Sequence, residues 1–308
     1  GVLPMSHVFG LASVCVGSLY NGACLYPVPR FEAPALLKAL VTERITVLQG
    51  VPAMYARVLE YLKQEGMALE APALIYISAG GSPLDGDLKR RVEAAFGQTL
   101  HNGYGLTEAS PTISQTRIDD TPTNTTVGRV LPLLEYRLEP LGSTDAEAPE
   151  TGELWVRGPN VMRGYFRQPE ATRACLDNEG WLNTGDIARV DASGELHIVG
   201  RSKELIIRSG FNIYPPDVEA VINEHPEVTL SAVVGRQVAG NEEVIAFVQC
   251  EPGAALSEDE LRAFIAERVA PYKRPCEIFL VDALPATATG KILKGRLRQQ
   301  AQEDRSHG

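Results

Sequence analysis

With 308 residues, of which 44% are hydrophobic and 22% charged, the chain has an ordinary globular composition and is long enough for two or more domains. Its formal net charge of -10 argues against a nucleic-acid surface, because phosphate contacts need clustered Lys and Arg. The local basic groups Lys89-Arg90-Arg91 and Lys291, Lys294, Arg296 and Arg298 suit one small anionic ligand better than DNA.

Cys15, Cys24, Cys175, Cys250 and Cys276 never fall in a CxxC spacing, so neither a disulfide framework nor a zinc site is expected. They read as small buried hydrophobes of a protein in a reducing cytoplasm. No apolar run reaches about 18 residues, so no membrane-spanning helix is expected.

The chain opens on Val2, Leu3, Pro4 and Met5, apolar residues that suit a buried strand. Up to about residue 105, short apolar runs at 23–28, 46–50, 74–80 and 99–105 read as strands. They alternate with helical patterns at 34–42, 52–64 and 84–96, the first two with Pro at an N-terminal turn. Such alternation predicts βα units with a mainly parallel sheet, whose ligands bind at the carboxyl ends of strands. Gly80-Gly81 and Asn102-Gly103 fall at such ends, where missing side chains let backbone approach a flat ligand; tight turns alone would also explain them.

Thr107 and Glu108 follow, and a hydroxyl beside a carboxylate can hold a phosphate oxygen and a hard Mg2+ ion together. The same pair also fits a helix N-cap. From 114 to 198 the texture turns to short strands closed by Gly, with acidic loops at 144–150, which predicts a mostly β subdomain.

The stretch 184–216 concentrates polar groups: Asp186 after Thr184-Gly185, Arg201 after Gly200, Lys203 two residues on, and a Gly-marked loop at 209–214. A carboxylate suits a ribose diol, although a surface turn would also account for Asp186. Beyond Lys203 a compact αβ domain is expected, with a strand at 204–210, a Pro-led helix at 216–223, strands at 228–235, 243–250 and 277–282, and a Ser257-x-x-Glu260 capping box. It ends in PATATGK (285–291) and a basic amphipathic helix.

Four strings in this order, SAGGSPL (78–84), HNGYGLTE (101–108), the 184–216 stretch and PATATGK, resemble the adenylate-forming superfamily of acyl-CoA synthetases, coumarate CoA ligases, luciferases and peptide-synthetase adenylation domains. The resemblance implies an α/β plus α+β fold in three parts: an α/β subdomain at 1–113, a β-rich subdomain at 114–202, and a mobile αβ domain at 203–308. It further implies an ATP-dependent acid-thiol ligase that makes an acyl-AMP and passes the acyl group to CoA, with a carboxylic acid, ATP and CoA as its partners and Mg2+ as cofactor.

By the same resemblance, Gly80, Gly81, Ser82, Asn102 and Gly103 line the adenine pocket, with the Tyr104 ring against the base. Asp186 holds the ribose hydroxyls, Arg201 reinforces ribose and phosphate, and Thr107 and Glu108 meet the phosphates, Glu108 holding the metal. Lys291 reaches the reacting groups during adenylation, Lys203 is the hinge, and Ser209, Gly210 and Phe211 border the CoA channel. His7 and Gly50 border the acyl pocket.

Family members carry a Ser/Thr/Gly-rich triphosphate loop upstream of these motifs, and no such run lies between Gly1 and the first of them. The chain is therefore expected to be the C-terminal part of a longer cytoplasmic enzyme, for which a homodimer is compatible. Short aliphatic, fatty and aromatic acids all fit. Loading of a carrier protein, or a non-catalytic nucleotide- or partner-binding module, are the competing readings.

Overall fold

The structure, a computed structural model, describes residues 1–141, 151–251, 253–287 and 291–304. The chain divides into two compact units, Gly1–Ile198 and Val199–Gly308.

The first unit begins without the strands expected at 2–5 and 23–28. Val2 and Leu3 are buried but not paired in a sheet, and Met5 is exposed. A wide, π-type helix spans Phe9–Val16 and continues as α1 (Gly17–Tyr20), in a stretch where no helix was expected. The helix is apolar all round and offers no amphipathic stripe to read. Next come α2 (Ala33–Thr42), β1 (Val47–Gly50), α3 (Pro52–Gln64), β2 (Tyr76–Ala79), α4 (Gly86–Phe96) and β3 (Leu100–Gly105). Pro starts the first turn of α2 and α3, and Asp85 caps α4 by accepting from the Asp87 and Leu88 amides.

Strands β1, β2 and β3 run parallel, with Gly50 opposite Ala79 and Ala79 opposite Asn102. The sheet is then extended antiparallel by β4 (Thr112–Gln115) and β5 (Arg129–Val130). Its core joins Leu48, Ile77 and Leu100 to Leu40, Tyr55, Val58 and Val92 from the helices. Fully buried Tyr55 donates its hydroxyl to the Ser78 carbonyl at 2.9 Å and the Leu48 carbonyl at 3.2 Å, pinning α3 over β1 and β2.

The basic run 89–91 faces acidic neighbours on its own helix. Lys89 is buried and paired with Glu93, while Arg90 and Arg91 both face Asp87. The unit continues through β6 (Glu135–Glu139), β7 (Thr151–Arg157), α5 (Pro169–Arg173), β8 (Leu182–Val190) and β9 (Leu196–Arg201), the four strands forming one sheet in that order. The acidic loop 144–150 lies outside the described residues. None of the cysteines is fully buried, and Cys24 is exposed, contrary to the expectation of buried thiols.

The second unit carries the hairpin β10 (Ile206–Arg208) and β11 (Phe211–Ile213), then α6 (Pro215–Asn223), β12 (Val228–Val238), β13 (Asn241–Cys250), α7 (Glu258–Ala266), β14 (Glu277–Val281) and α8 (Lys294–Asp304). The capping box of α7 is present in both directions, Ser257 to Glu260 and back. Alternate residues of β13 serve two cores: Val244, Ala246 and Val248 pack with Val218, Ile222 and Leu261, while Ile245 and Phe247 pack with Leu297 and Ala301 of α8. Across the sheet, Arg236 bridges Glu243 and Glu277 through charge-assisted bonds at 2.6 to 2.9 Å.

Replacing Tyr55 by Phe removes the hydroxyl and leaves the ring. The first unit should then lose about 1 kcal/mol of stability, seen as a lower urea midpoint at unchanged slope.

Candidate active site

In the first unit, the carboxyl ends of β1, β2 and β3 lie side by side, which sets Gly50, Gly80, Gly81, Ser82, Asn102, Gly103 and Tyr104 along one rim. Position 80 is tightly packed. A Cβ there would sit 3.2 Å from the Phe9 ring and 3.3 Å from the Gly103 carbonyl. Phe9 thereby brings the segment of His7 to the same rim. His7 itself is exposed, and its Nδ1 accepts from the Phe9 amide at 3.2 Å, a local role at the start of the wide helix.

Asn102 is buried rather than displayed. Its amide nitrogen donates to the Thr125 carbonyl at 3.2 Å, and its amide oxygen accepts from the Gly103 N–H at 3.1 Å. Beyond it, the Tyr104 hydroxyl donates to Asp186 Oδ2 at 2.5 Å. Asp186 is 3% exposed on β8, so the surface-turn reading fails. Thr184 holds the adjoining backbone: its hydroxyl donates to the Leu154 carbonyl at 2.8 Å and accepts from the Asp186 amide at 3.1 Å. Nothing local in the sequence signals the Tyr104 to Asp186 pairing, which spans 82 residues.

Gly105 ends β3 where the chain turns tightly. A Cβ there would meet the Pro111 carbonyl oxygen at 1.9 Å, so no other residue fits the turn. Thr107–Ala109 follows as a single 3-10 turn. Thr107 is the first residue of that turn and caps nothing, which removes the N-cap reading. Glu108 is half-buried, and its Oε1 accepts from the Tyr165 hydroxyl at 2.6 Å. That bond, with burial second, pushes the Tyr165 phenol well above its usual range, so the proton stays on tyrosine. The donors of this turn are a carboxylate and a hydroxyl, both oxygen, which is the set that suits Mg2+ shared with phosphate.

Tyr165, with Asn160 and Phe9, escaped the reading of the sequence. Tyr165 meets Glu108 across 57 residues, and only the Gly-Tyr pair after β7 marks its place.

The second unit holds the remaining candidates. Arg201 ends β9 and is exposed; its carbonyl accepts from the Leu205 amide at 3.0 Å. Lys203 sits in the short turn Ser202–Glu204, where its carbonyl accepts from Arg298 of α8 at 3.1 Å. Lys294 of α8 faces Glu204 at 3.4 Å and Glu219 at 2.7 Å; burial pushes the Glu219 carboxyl up, against the opposing pull of Lys294.

The Gly-marked segment is a hairpin rather than a loop. Ser209 and Gly210 both have positive φ, 54° and 84°, and close β10 onto β11 in the way two-residue hairpin turns require. Phe211 stacks on Tyr272 at 4.6 Å between centroids and is 50% exposed. Lys291 is exposed, with its amide donating to Thr287 Oγ1 at 3.1 Å and its carbonyl accepting from Thr287 N at 2.8 Å. The expected flexible tip of PATATGK, residues 288–290, lies outside the described residues.

A family model described as AMP-binding enzyme matches residues 1–166, and one described as AMP-binding enzyme C-terminal domain matches 217–291. 4-Coumarate–CoA ligase 1 of Oryza sativa is 32% identical over 327 residues, covering 97% of this chain and 54% of its own. ATP-bound MatB from Rhodopseudomonas palustris is similar at a TM-score of 0.86 and 31% identity, over 98% of this chain and 59% of that one. o-Succinylbenzoate CoA synthetase from Bacillus subtilis, in complex with its acyl-adenylate intermediate, has a TM-score of 0.83 and 31% identity, over 97% of this chain and 60% of that one. The chain thus spans about half the length of the relatives it matches.

Tyr104→Phe should weaken the first unit by about 1.5 to 3 kcal/mol, the range for a hydrogen bond to a charged group. Chemical unfolding followed by Trp fluorescence tests this, since Trp155 and Trp181 both lie in the first unit.

Proposed function

Because the chain belongs to the AMP-binding enzyme family, we propose that it works in ATP-dependent carboxylate–CoA ligation through an acyl-AMP intermediate. The observation that carries this reading is the rim at the carboxyl ends of β2 and β3. There a glycine backbone adjoins a buried carboxylate, Asp186, held by Tyr104, and a carboxylate-hydroxyl turn, Glu108 and Thr107.

In the first half-reaction an oxygen of the substrate carboxylate attacks the α-phosphorus of ATP. The bond to pyrophosphate breaks, and acyl-AMP and pyrophosphate result. In this reading Gly80, Gly81, Ser82, Asn102 and Gly103 give the adenine a flat backbone wall, and the Tyr104 ring lies against the base. Asp186 accepts from the ribose hydroxyls, and its bond to Tyr104 fixes the carboxylate in place. Thr107 donates its hydroxyl to a phosphate oxygen. Glu108 would hold Mg2+, which when bound neutralises charge on the phosphate oxygens.

The two reactants are both anions, so cations must offset their repulsion. Arg201 offers fixed donors to ribose and phosphate oxygens, and Lys291 brings a point charge to the reacting groups. His7 and Gly50 border the acyl group.

In the second half-reaction the CoA sulfur attacks the acyl carbonyl carbon, the bond to AMP breaks, and AMP leaves. The thiol proton passes to solvent. Lys203 serves as the pivot that exchanges Lys291 for the Ser209, Gly210 and Phe211 turn, which borders the pantetheine.

Lys291→Ala in the natural protein should slow carboxylate-dependent ATP–pyrophosphate exchange by about 100-fold or more, the scale for losing one oriented charge donor. Thioester formation from preformed acyl-AMP should change only a few-fold. Equal loss in both halves would overturn the division of labour. Offering CoA and a phosphopantetheinylated carrier in parallel identifies the thiol, and a carboxylate panel identifies the acid.

A further inference from the structure

Residues 158–166, which leave β7 before α5, grip the Glu108 turn at its main chain and its side chain together. Asn160 donates its amide to the Ala109 carbonyl at 2.7 Å and to the Thr112 carbonyl at 2.9 Å. The Met162 amide donates to the Glu108 carbonyl at 2.8 Å. The Tyr165 hydroxyl then reaches Glu108 Oε1 at 2.6 Å. Tyr165 is itself anchored, since its amide donates to Thr172 Oγ1 at 2.9 Å, and that hydroxyl donates to the Gln168 carbonyl at 2.9 Å.

These bonds do different jobs. The contacts of Asn160 and Met162 fix the backbone of the 107–109 turn and would stabilise it whatever its side chains did. The Tyr165 bond engages only one carboxylate oxygen, and the tyrosine is 40% exposed, so burial of the ring is not what holds it there. The terminal torsion of a Glu side chain is broad and roughly two-fold. A charge-assisted bond to Oε1 removes that freedom and sets the direction in which Oε2 points.

We propose that Tyr165 is a positioning residue that orients the Glu108 carboxylate toward a phosphate-bound divalent cation, with residues 158–166 as the clamp that holds both. The inference rests on the reading of Glu108 given under Proposed function, and it adds a residue whose role runs through the Glu108 carboxylate. Carboxylates that ligate metals are commonly held by such outer partners, and loss of one typically weakens metal affinity about 10- to 100-fold.

The test is equilibrium ATP binding to the natural protein, measured by calorimetry with Mg2+ and again with EDTA. The ratio of the two dissociation constants reports how strongly the protein couples metal to nucleotide. Tyr165→Phe should reduce that ratio by about 10-fold, leave the EDTA value unchanged, and leave the thermal unfolding midpoint near that of the wild type. A ratio that stays at the wild-type value, or rises, overturns the proposal. Glu108→Gln run alongside separates the two claims. If it abolishes the coupling while Tyr165→Phe does not, the positioning role fails alone; if it leaves the coupling intact, the metal reading of Glu108 fails and this inference with it.

Discussion

The hydrogen bond from Tyr104 to Asp186 is the constraint around which the first unit is arranged. It joins β3 of the five-stranded sheet to β8 of the four-stranded sheet, and it places a carboxylate that is 3% exposed at the edge of an otherwise backbone-lined rim. Burying a carboxylate is costly without partners. Thr184, Asn183 and Glu153 form a chain of side-chain bonds around the neighbouring backbone, which keeps the loaded strand in register.

Two consequences follow from how that rim is made. Its wall is main chain: Gly80 packs closely against Phe9 and Gly103, and Gly105 lies against Pro111 with no room for a Cβ. Its charge sits on two carboxylates, Asp186 and Glu108, each receiving a tyrosine hydroxyl from a distant part of the chain. Each carboxylate is thereby held in one orientation by a hydroxyl that its own segment does not supply.

The second unit solves a different problem. Its central strand β13 is buried on both faces, so the sheet is a stiff plate covered by α6 and α7 on one side and α8 on the other. The Ser209-Gly210 turn closes a separate two-stranded hairpin, β10 with β11, and Thr287 and Lys291 are tied to each other through the Thr287 amide and the Lys291 carbonyl. Helix α8 ties Lys203 and Glu204 to the same body through Arg298 and Lys294. The proposed pivot is thus firmly held on its own unit's side.

Sequence alone determined the alternation of strand and helix from β1 to β3, the Pro-led starts of α2, α3 and α6, the capping box of α7, and the four motif strings. All of these depend on near neighbours: hydrophobic period, fixed proline φ, and a side chain bonding an amide three residues away. Tertiary structure decided the rest. The helix at Phe9–Val16 has no polar face to mark it, so its form depends on packing. The 209–214 segment is a hairpin because Ser209 joins Gly210 in positive φ, a cost met by Asn241 accepting from the Ser209 amide. The partners of Asp186 and Glu108 lie 82 and 57 residues away, and no local rule reaches that far. Spacing can nominate a carboxylate, but its orientation is set by whichever distant hydroxyl the fold brings to it.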